Sequence, residues 1–290
     1  MAKIMGRQFS ILELYKKSSD FLTKKGIVSS KVDTEWILSK FLNVDKIDIY
    51  LDREYIDSEN QINQIRDAIV RRAKREPLQH ILGSVEFCNC TIKSDQRALI
   101  PRFETELLVE LIEKKIPQGF KGRILDLGTG SGAILIALAK LYPHAECVGL
   151  DKSDKALSLA KENISLNECN SNVKLSTYDW HLDVPTEIDF DVLVSNPPYL
   201  SDKEWSSCEP EVKVYDPKEA LVAENDGILD LETILKLSNS IVKKGGLVAL
   251  EFGIGQSEKL CTFSKNYFKN VSIENDLTGK RRFFLGNLKD

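Results

Sequence analysis

Arg123-Ile-Leu-Asp126-Leu-Gly128-Thr-Gly130-Ser-Gly132-Ala133 runs from an apolar strand-like stretch, through three glycines spaced by small hydroxyl residues, into an apolar helical segment. Glycine adopts positive φ without strain and lets backbone come close to a neighbour, so the run predicts a tight strand-to-helix loop. The rhythm continues outward. Glu146–Leu150 (ECVGL), Val173–Thr177 (VKLST), Asp191–Ser195 (DVLVS) and Gly246–Phe252 (GLVALEF) are short strand-like runs, most of them separated by helical segments. That alternation predicts an α/β fold: a Rossmann-like, mostly parallel sheet with helices on both faces. The last two candidate strands, Val271–Ile273 and Arg281–Leu285, are joined by the turn-like Asp276-Leu-Thr-Gly-Lys280, which predicts an antiparallel hairpin at the sheet edge.

Upstream the period changes. Phe9, Leu12, Leu14 and Tyr15, then Phe21 and Leu22, then Trp36 to Leu42, then Ile62, Ile65, Ile69 and Val70 recur at three- and four-residue intervals, which predicts a small helical bundle with no strand-like interruption. Pro77 and Gly83 punctuate the chain. Residues 84–93 suggest a short hairpin, and residues 103–116 an amphipathic helix. The expected organisation is a helical domain over 1–80, a hairpin linker over 81–102 and an α/β domain over 103–290.

A chain of 290 residues suits two domains of unequal size. A formal net charge of -4 does not suit a protein that wraps nucleic acid. The exception is the basic cluster Arg66, Arg71, Arg72, Lys74 and Arg75, which reads either as the solvated face of a helix or as a patch for an acidic or RNA-bound partner. The six cysteines form no CxxC pair. Cys88 and Cys90, two apart in an extended stretch, would share one strand face. His80, His144 and His181 lack metal-ligand spacing, so no metal is expected. Reduced thiols, no apolar leader and no run of roughly 18 apolar residues point to a cytoplasmic protein that does not enter membranes. A monomer is expected.

In a doubly wound sheet a ligand lies across the carboxyl ends of the strands, where Gly128, Thr129, Gly130, Ser131 and Gly132 fall. Gly128, Gly130 and Ala133 also satisfy the dinucleotide pattern GxGxxG/A, so a nicotinamide dehydrogenase competes, as does a tight turn with no ligand. Asp126 could orient this loop or the amino-acid end of a cofactor. Asp151, ending the next strand, is spaced to accept both ribose hydroxyls of an adenosine cofactor. Asp179 and Trp180 could bracket an adenine ring, or Trp180 could pack in the core.

Asn196-Pro197-Pro198-Tyr199 then closes a buried strand. Proline fixes φ and has no N–H, so this corner is stiff. The Asn196 side-chain oxygen and the Pro197 carbonyl can accept the two hydrogens of an NH₂ group, while Tyr199 offers a flat face. Such a corner suits methyl transfer from S-adenosylmethionine to a planar amide or amine nitrogen. A bare strand-terminating turn is the plain alternative.

DLGTGSGAI, Asp151, Asp179-Trp180, SNPPY and LIPRFETELL together resemble the bacterial protein-(glutamine-N5) methyltransferases that modify peptide chain release factors. The resemblance continues through PLQHILGSVEF, PEVKVYDPKEALVAENDG and DLTGKRRFFLG. It implies S-adenosyl-L-methionine held by Gly128–Gly132, Asp151 and Trp180, and a glutamine side chain held by Asn196, Pro197, Pro198 and Tyr199. It also implies the glutamine of a Gly-Gly-Gln tripeptide as target, helped to dock by the N-terminal helices, and so a role in translation termination. The family usually has proline where this chain has Phe103. Arg102 and Glu104 therefore receive no catalytic role, and an ion pair between them capping the next helix is the plain reading. Methylation of the adenine amine in nucleic acid, or of glutamine in a ribosomal protein, is the competing activity, and a non-catalytic binding module the other.

Overall fold

The computed structural model describes residues 9–51, 55–56, 58–183 and 188–290. The chain divides into two compact units: residues 1–83 with 210–215, and residues 84–209 with 216–290.

In the first unit β1 (Phe9–Ser10) precedes α1 (Ile11–Lys24), α2 (Ser30–Leu42) and α3 (Asp48–Leu51), and β2 (Tyr55–Ile56) precedes α4 (Glu59–Ala73) and α5 (Leu78–Leu82). Ser10 and Ser58 cap α1 and α4 by accepting from the backbone N–H of Glu13 and Gln61, which satisfies donors that the first helical turn leaves open. Ile11, Tyr15, Leu22, Ile37, Leu38, Ile65 and Ile69 form its core. The uninterrupted helical region needs a correction. β1 and β2 pair antiparallel, and two-residue strands are too short to leave an alternation in the sequence.

Within the basic cluster Arg66 and Lys74 are exposed, but Arg72 departs from both readings. Arg72 is buried, with Nε 2.6 Å from Asp33 Oδ2 and Nη1 2.9 Å from Glu211 Oε1. Arg75 Nη2 lies 2.7 Å from Glu211 Oε2, and Arg71 Nη2 lies 2.6 Å from Glu76 Oε1. Three of the five cations are thus engaged in internal pairs; for Arg72, the buried one, matching the charge is what makes burial tolerable.

The second unit opens with the expected hairpin, β3 (Ser84–Phe87) and β4 (Cys90–Lys93), which lies inside this unit. Cys88 and Asn89 form its turn with φ of 46° and 58°. Cys88 therefore does not share a strand face with Cys90: the two-residue turn takes it out of the ladder. Next come α6 (Phe103–Glu113), β5 (Arg123–Leu127), α7 (Ala133–Leu141), β6 (Glu146–Asp151), α8 (Asp154–Leu166), β7 (Val173–Thr177), β8 (Phe190–Ser195) and α9 (Asp202–Ser207). The helix α10 (Pro210–Tyr215) belongs to the first unit. The chain closes with α11 (Glu224–Gly227), α12 (Leu229–Ile241), β9 (Val242–Glu251), α13 (Ser257–Ser264), β10 (Phe268–Asn275) and β11 (Arg281–Leu288).

The strand order is β10-β11-β9-β8-β5-β6-β7. β5 to β9 are parallel; β11 runs antiparallel to β9 and to β10, as the hairpin expectation had it. Leu125, Leu193 and Val248 are fully buried on adjacent strands, which is why these segments read as continuous apolar runs. The chain leaves β5 toward β6 on one side and returns as β8 on the other. That switch point opens a crevice at the carboxyl ends of β5, β6 and β8. Among the described residues no helix is long and apolar enough to cross a membrane.

Candidate active site

A pocket fills the crevice. Gly128, Thr129, Gly130 and Ser131 line it from the loop after β5, Asp151 from the end of β6, and Trp180, Asn196 and Pro198 from the loops after β7 and β8.

The glycine side is built from backbone. Gly128, Gly130 and Gly132 have φ of 78°, 56° and 82°, the region in which other residues are strained. The N–H groups of Gly128 and Thr129 both donate to the Leu150 carbonyl, at 2.8 and 2.9 Å, tying the loop to β6. Gly130 N–H donates to Asp151 Oδ2 at 2.8 Å, and Ser153 N–H donates to Asp151 Oδ1 at 2.9 Å. Burial raises the Asp151 carboxyl, and those N–H groups oppose the rise. A Cβ on Gly128 would stand 3.4 Å from the Trp180 ring, filling the slot between loop and indole. Trp180 is held by its own Nε1–H, which donates to Asp230 Oδ1 at 2.7 Å.

Several expected site residues stand behind this wall. Asp126 is fully buried beneath the loop and accepts from Thr129 Oγ1 at 2.7 Å; burial pushes its carboxyl up to about 7. Gly132 caps α7, and a Cβ there would meet Ala160 at 3.2 Å. Asp179 does not line the pocket; its Oδ1 accepts from His181 N–H at 2.9 Å in the turn after β7.

The opposite side is built from side chains. Asn196 Nδ2 donates to Thr105 Oγ1 at 3.1 Å, and Thr105 Oγ1 donates to Glu251 Oε2 at 2.7 Å. Tyr199 OH donates to Glu251 Oε1 at 2.9 Å. Tyr199 thus sits against Glu251 and beside Arg282, whose guanidinium carbon is 5.9 Å from the ring centre; Pro197 and Tyr199 are not on the pocket wall. Burial and the nearby Glu251 raise the Tyr199 hydroxyl. Glu251, 2% exposed at the end of β9, is raised by burial against the pull of Thr105, Tyr199 and Arg282. The corner is clamped from behind as well: Gln256 Nε2 donates to the carbonyls of Tyr199 and Gly227, at 2.9 and 3.1 Å.

Arg102 Nη2 is 2.7 Å from Asp216 Oδ2. The ion pair anticipated between Arg102 and Glu104 is replaced by this one, since the Asp216 side chain is almost fully buried and needs the cation more.

Sequence reasoning missed Thr105, Glu251, Gln256, Gly227 and Asp230. A carboxylate closing the apolar run GLVALEF was the available signal for Glu251. The others hold their partners across distances no local pattern reveals.

The pocket suits an adenosine cofactor with a charged amino-acid tail. A glycine-rich loop carrying only small side chains, the Asp151 carboxylate and an indole face surround one cavity.

Residues 13–83 match the family model described as PrmC N-terminal domain, and residues 103–214 match that described as Methyltransferase small domain. The release factor glutamine methyltransferase of Geobacter sulfurreducens is 34% identical over 92% of this chain and 93% of its own. That of Fusobacterium nucleatum is 36% identical over 94% of this chain and 78% of its own. Among solved structures, the catalytic domain of hMettl16, determined with the MAT2A 3′UTR hairpin 1, is 15% identical with a TM-score of 0.55 over 80% of this chain and 81% of that one; this likeness concerns the fold alone. Two relatives that align along nearly the whole length, over both the helical and the α/β segments, leave one assignment: the chain belongs to the release factor glutamine methyltransferase family.

Proposed function

We propose that this site transfers the methyl group of S-adenosyl-L-methionine to the side-chain amide nitrogen of a glutamine in a peptide chain release factor, the glutamine of its Gly-Gly-Gln tripeptide. The observation that carries this reading is the tether of Asn196: its Nδ2 is committed to Thr105, which leaves Oδ1 as the end available to a guest beside the glycine loop.

Each residue then has a task. Asp151 accepts from the ribose hydroxyls, the Gly128–Gly130 backbone admits the cofactor closely, and Trp180 flanks its base. Asp126 keeps the loop in place through Thr129. Asn196 Oδ1, on the pocket wall, accepts one hydrogen of the glutamine NH₂, and the adjoining Pro197 carbonyl, set back from that wall, accepts the other as the side chain enters the corner. That aims the nitrogen lone pair, otherwise delocalised into the carbonyl, and stabilises positive charge as it builds on nitrogen. The cofactor supplies an electrophilic methyl carbon on a sulfonium sulfur. The N–C bond forms from the nitrogen lone pair, the C–S pair stays on sulfur, and the extra proton on nitrogen leaves to water. Alignment of two reactants is worth on the order of 7–11 kcal/mol in favourable cases, so no general base is required. The acting species is the monomer, and nucleic acid is not its substrate.

Incubation with methyl-labelled cofactor, a purified release factor and a pool of nucleic acid tests the reading. Label is expected on one glutamine of the release factor; label confined to nucleic acid would overturn it.

A further inference from the structure

An asparagine side chain has an accepting end and a donating end, and only the accepting end serves an NH₂ substrate. What decides which end faces the pocket lies outside the Asn-Pro-Pro-Tyr corner. Thr105, on α6, carries one hydroxyl hydrogen and is 4% exposed. Its Oγ1 lies 2.7 Å from Glu251 Oε2 and 3.1 Å from the Asn196 side chain.

In this contact the Thr105 hydroxyl donates to Glu251 Oε2, and a hydroxyl has one hydrogen to give. The single Thr105 hydrogen is therefore committed to Glu251, and toward Asn196 the Thr105 oxygen can only accept. The amide must turn Nδ2 to it and Oδ1 away. Without the carboxylate, Thr105 would be free to donate to Oδ1. The amide would then rotate by half a turn and present N–H to the N–H of the substrate. Tyr199 completes the arrangement by donating to the other oxygen of Glu251, so both oxygens of this buried group are satisfied, as buried polar groups require. This accounts for a tyrosine of the corner that faces the interior rather than the pocket.

We propose that Thr105 and Glu251 are positioning residues of the methyl transfer: Glu251, by accepting the Thr105 hydroxyl hydrogen, fixes the amide of Asn196 with its oxygen toward the substrate nitrogen. The proposal rests on the reading of Asn196 as acceptor for the glutamine NH₂, and the test separates the two.

The experiment uses the full chain with a purified release factor, recording kcat, KM, S-adenosylhomocysteine affinity and Tm. Thr105→Val removes the hydroxyl at nearly constant shape, and Thr105→Ser keeps it. Residues in one hydrogen-bond network couple strongly, so Thr105→Val is expected to lower kcat by roughly ten- to a hundredfold, with S-adenosylhomocysteine affinity within about twofold. Thr105→Ser is expected to recover most of the rate. In an Asn196→Ala background Thr105→Val should cost nothing further, since its effect passes through Asn196. Should Thr105→Val fold poorly, Thr105→Ala is put through the same cycle. An unchanged kcat in the hydroxyl-free variant, or a full additional loss in the Asn196→Ala background, would overturn the positioning role. Normal turnover in Asn196→Ala alone would instead overturn the acceptor reading beneath it.

Discussion

The two sides of the pocket are made in different ways. The glycine side is local: three glycines and two aspartates within a short stretch of β5 and β6, joined by backbone hydrogen bonds to Leu150 and Asp151. The Asn196 side is assembled from distant chain. Asn196 and Thr105 are 91 positions apart, and Thr105 and Glu251 are 146 apart. Backbone can bind a cofactor's common parts, because glycine exposes N–H groups and leaves room. Orienting one substrate atom needs side chains of defined polarity, and these must themselves be oriented by others. The comparison therefore predicts that damage on the first side appears in cofactor affinity, and damage on the second in turnover.

Four substitutions can break or sharpen this contrast. The largest effect is expected for Asn196→Ala, which should cut kcat by roughly 10²–10³ with cofactor affinity little changed, the loss typical of one transition-state partner. Steady-state kinetics with a release factor checks it. Asp151→Ala should do the opposite: S-adenosylhomocysteine binding, followed by calorimetry, is expected to weaken by roughly ten- to a hundredfold as two hydroxyls lose a charged acceptor. Equal effects of both variants on affinity would erase the distinction between the sides.

Gly227→Ala probes the scaffold of the second side. The residue has φ of 80°, and a Cβ would lie 2.2 Å from the Tyr199 carbonyl oxygen. It should lose roughly 1–3 kcal/mol in denaturant unfolding, from overpacking and strained backbone together, and lose turnover with it. Full stability would show that the corner yields easily.

The smallest effect concerns Asp126 on the first side. Burial raises its carboxyl from 3.8 to about 7, so between those values the folded state holds a proton that the unfolded chain has released. Stability contributed by this group therefore falls as pH rises through the window and is level above it. Relative to Asp126→Asn, the native chain should lose at least about 1 kcal/mol between pH 4 and 7. Parallel pH dependence of the two proteins would show that the buried carboxyl carries no such penalty.

Legibility in the sequence follows the same contrast. The parallel strands and the closing hairpin were readable because buried strands are apolar runs bounded by turns. That Gly128–Ser131 and Asp151 would meet at one pocket was readable because they follow neighbouring strands of one βαβ unit. Strand order was not, since nothing local records that β8 returns beside β5. Pairings were lost for the same reason: Arg102 with Asp216, and Arg72 with Asp33 and Glu211. Tyr199 was assigned a stacking face on residue type alone, but its hydroxyl finds Glu251 in the interior. A buried phenol seeks a partner, and that partner lies 52 positions away.

A structure with S-adenosylhomocysteine and a Gly-Gly-Gln peptide tests the central claim most directly. The glutamine amide nitrogen should lie within hydrogen-bond distance of both Asn196 Oδ1 and the Pro197 carbonyl, its free side facing the cofactor sulfur, while Asn196 keeps its bond to Thr105. A peptide glutamine lodged elsewhere, with Asn196 and Pro197 making no contact to it, would contradict the account.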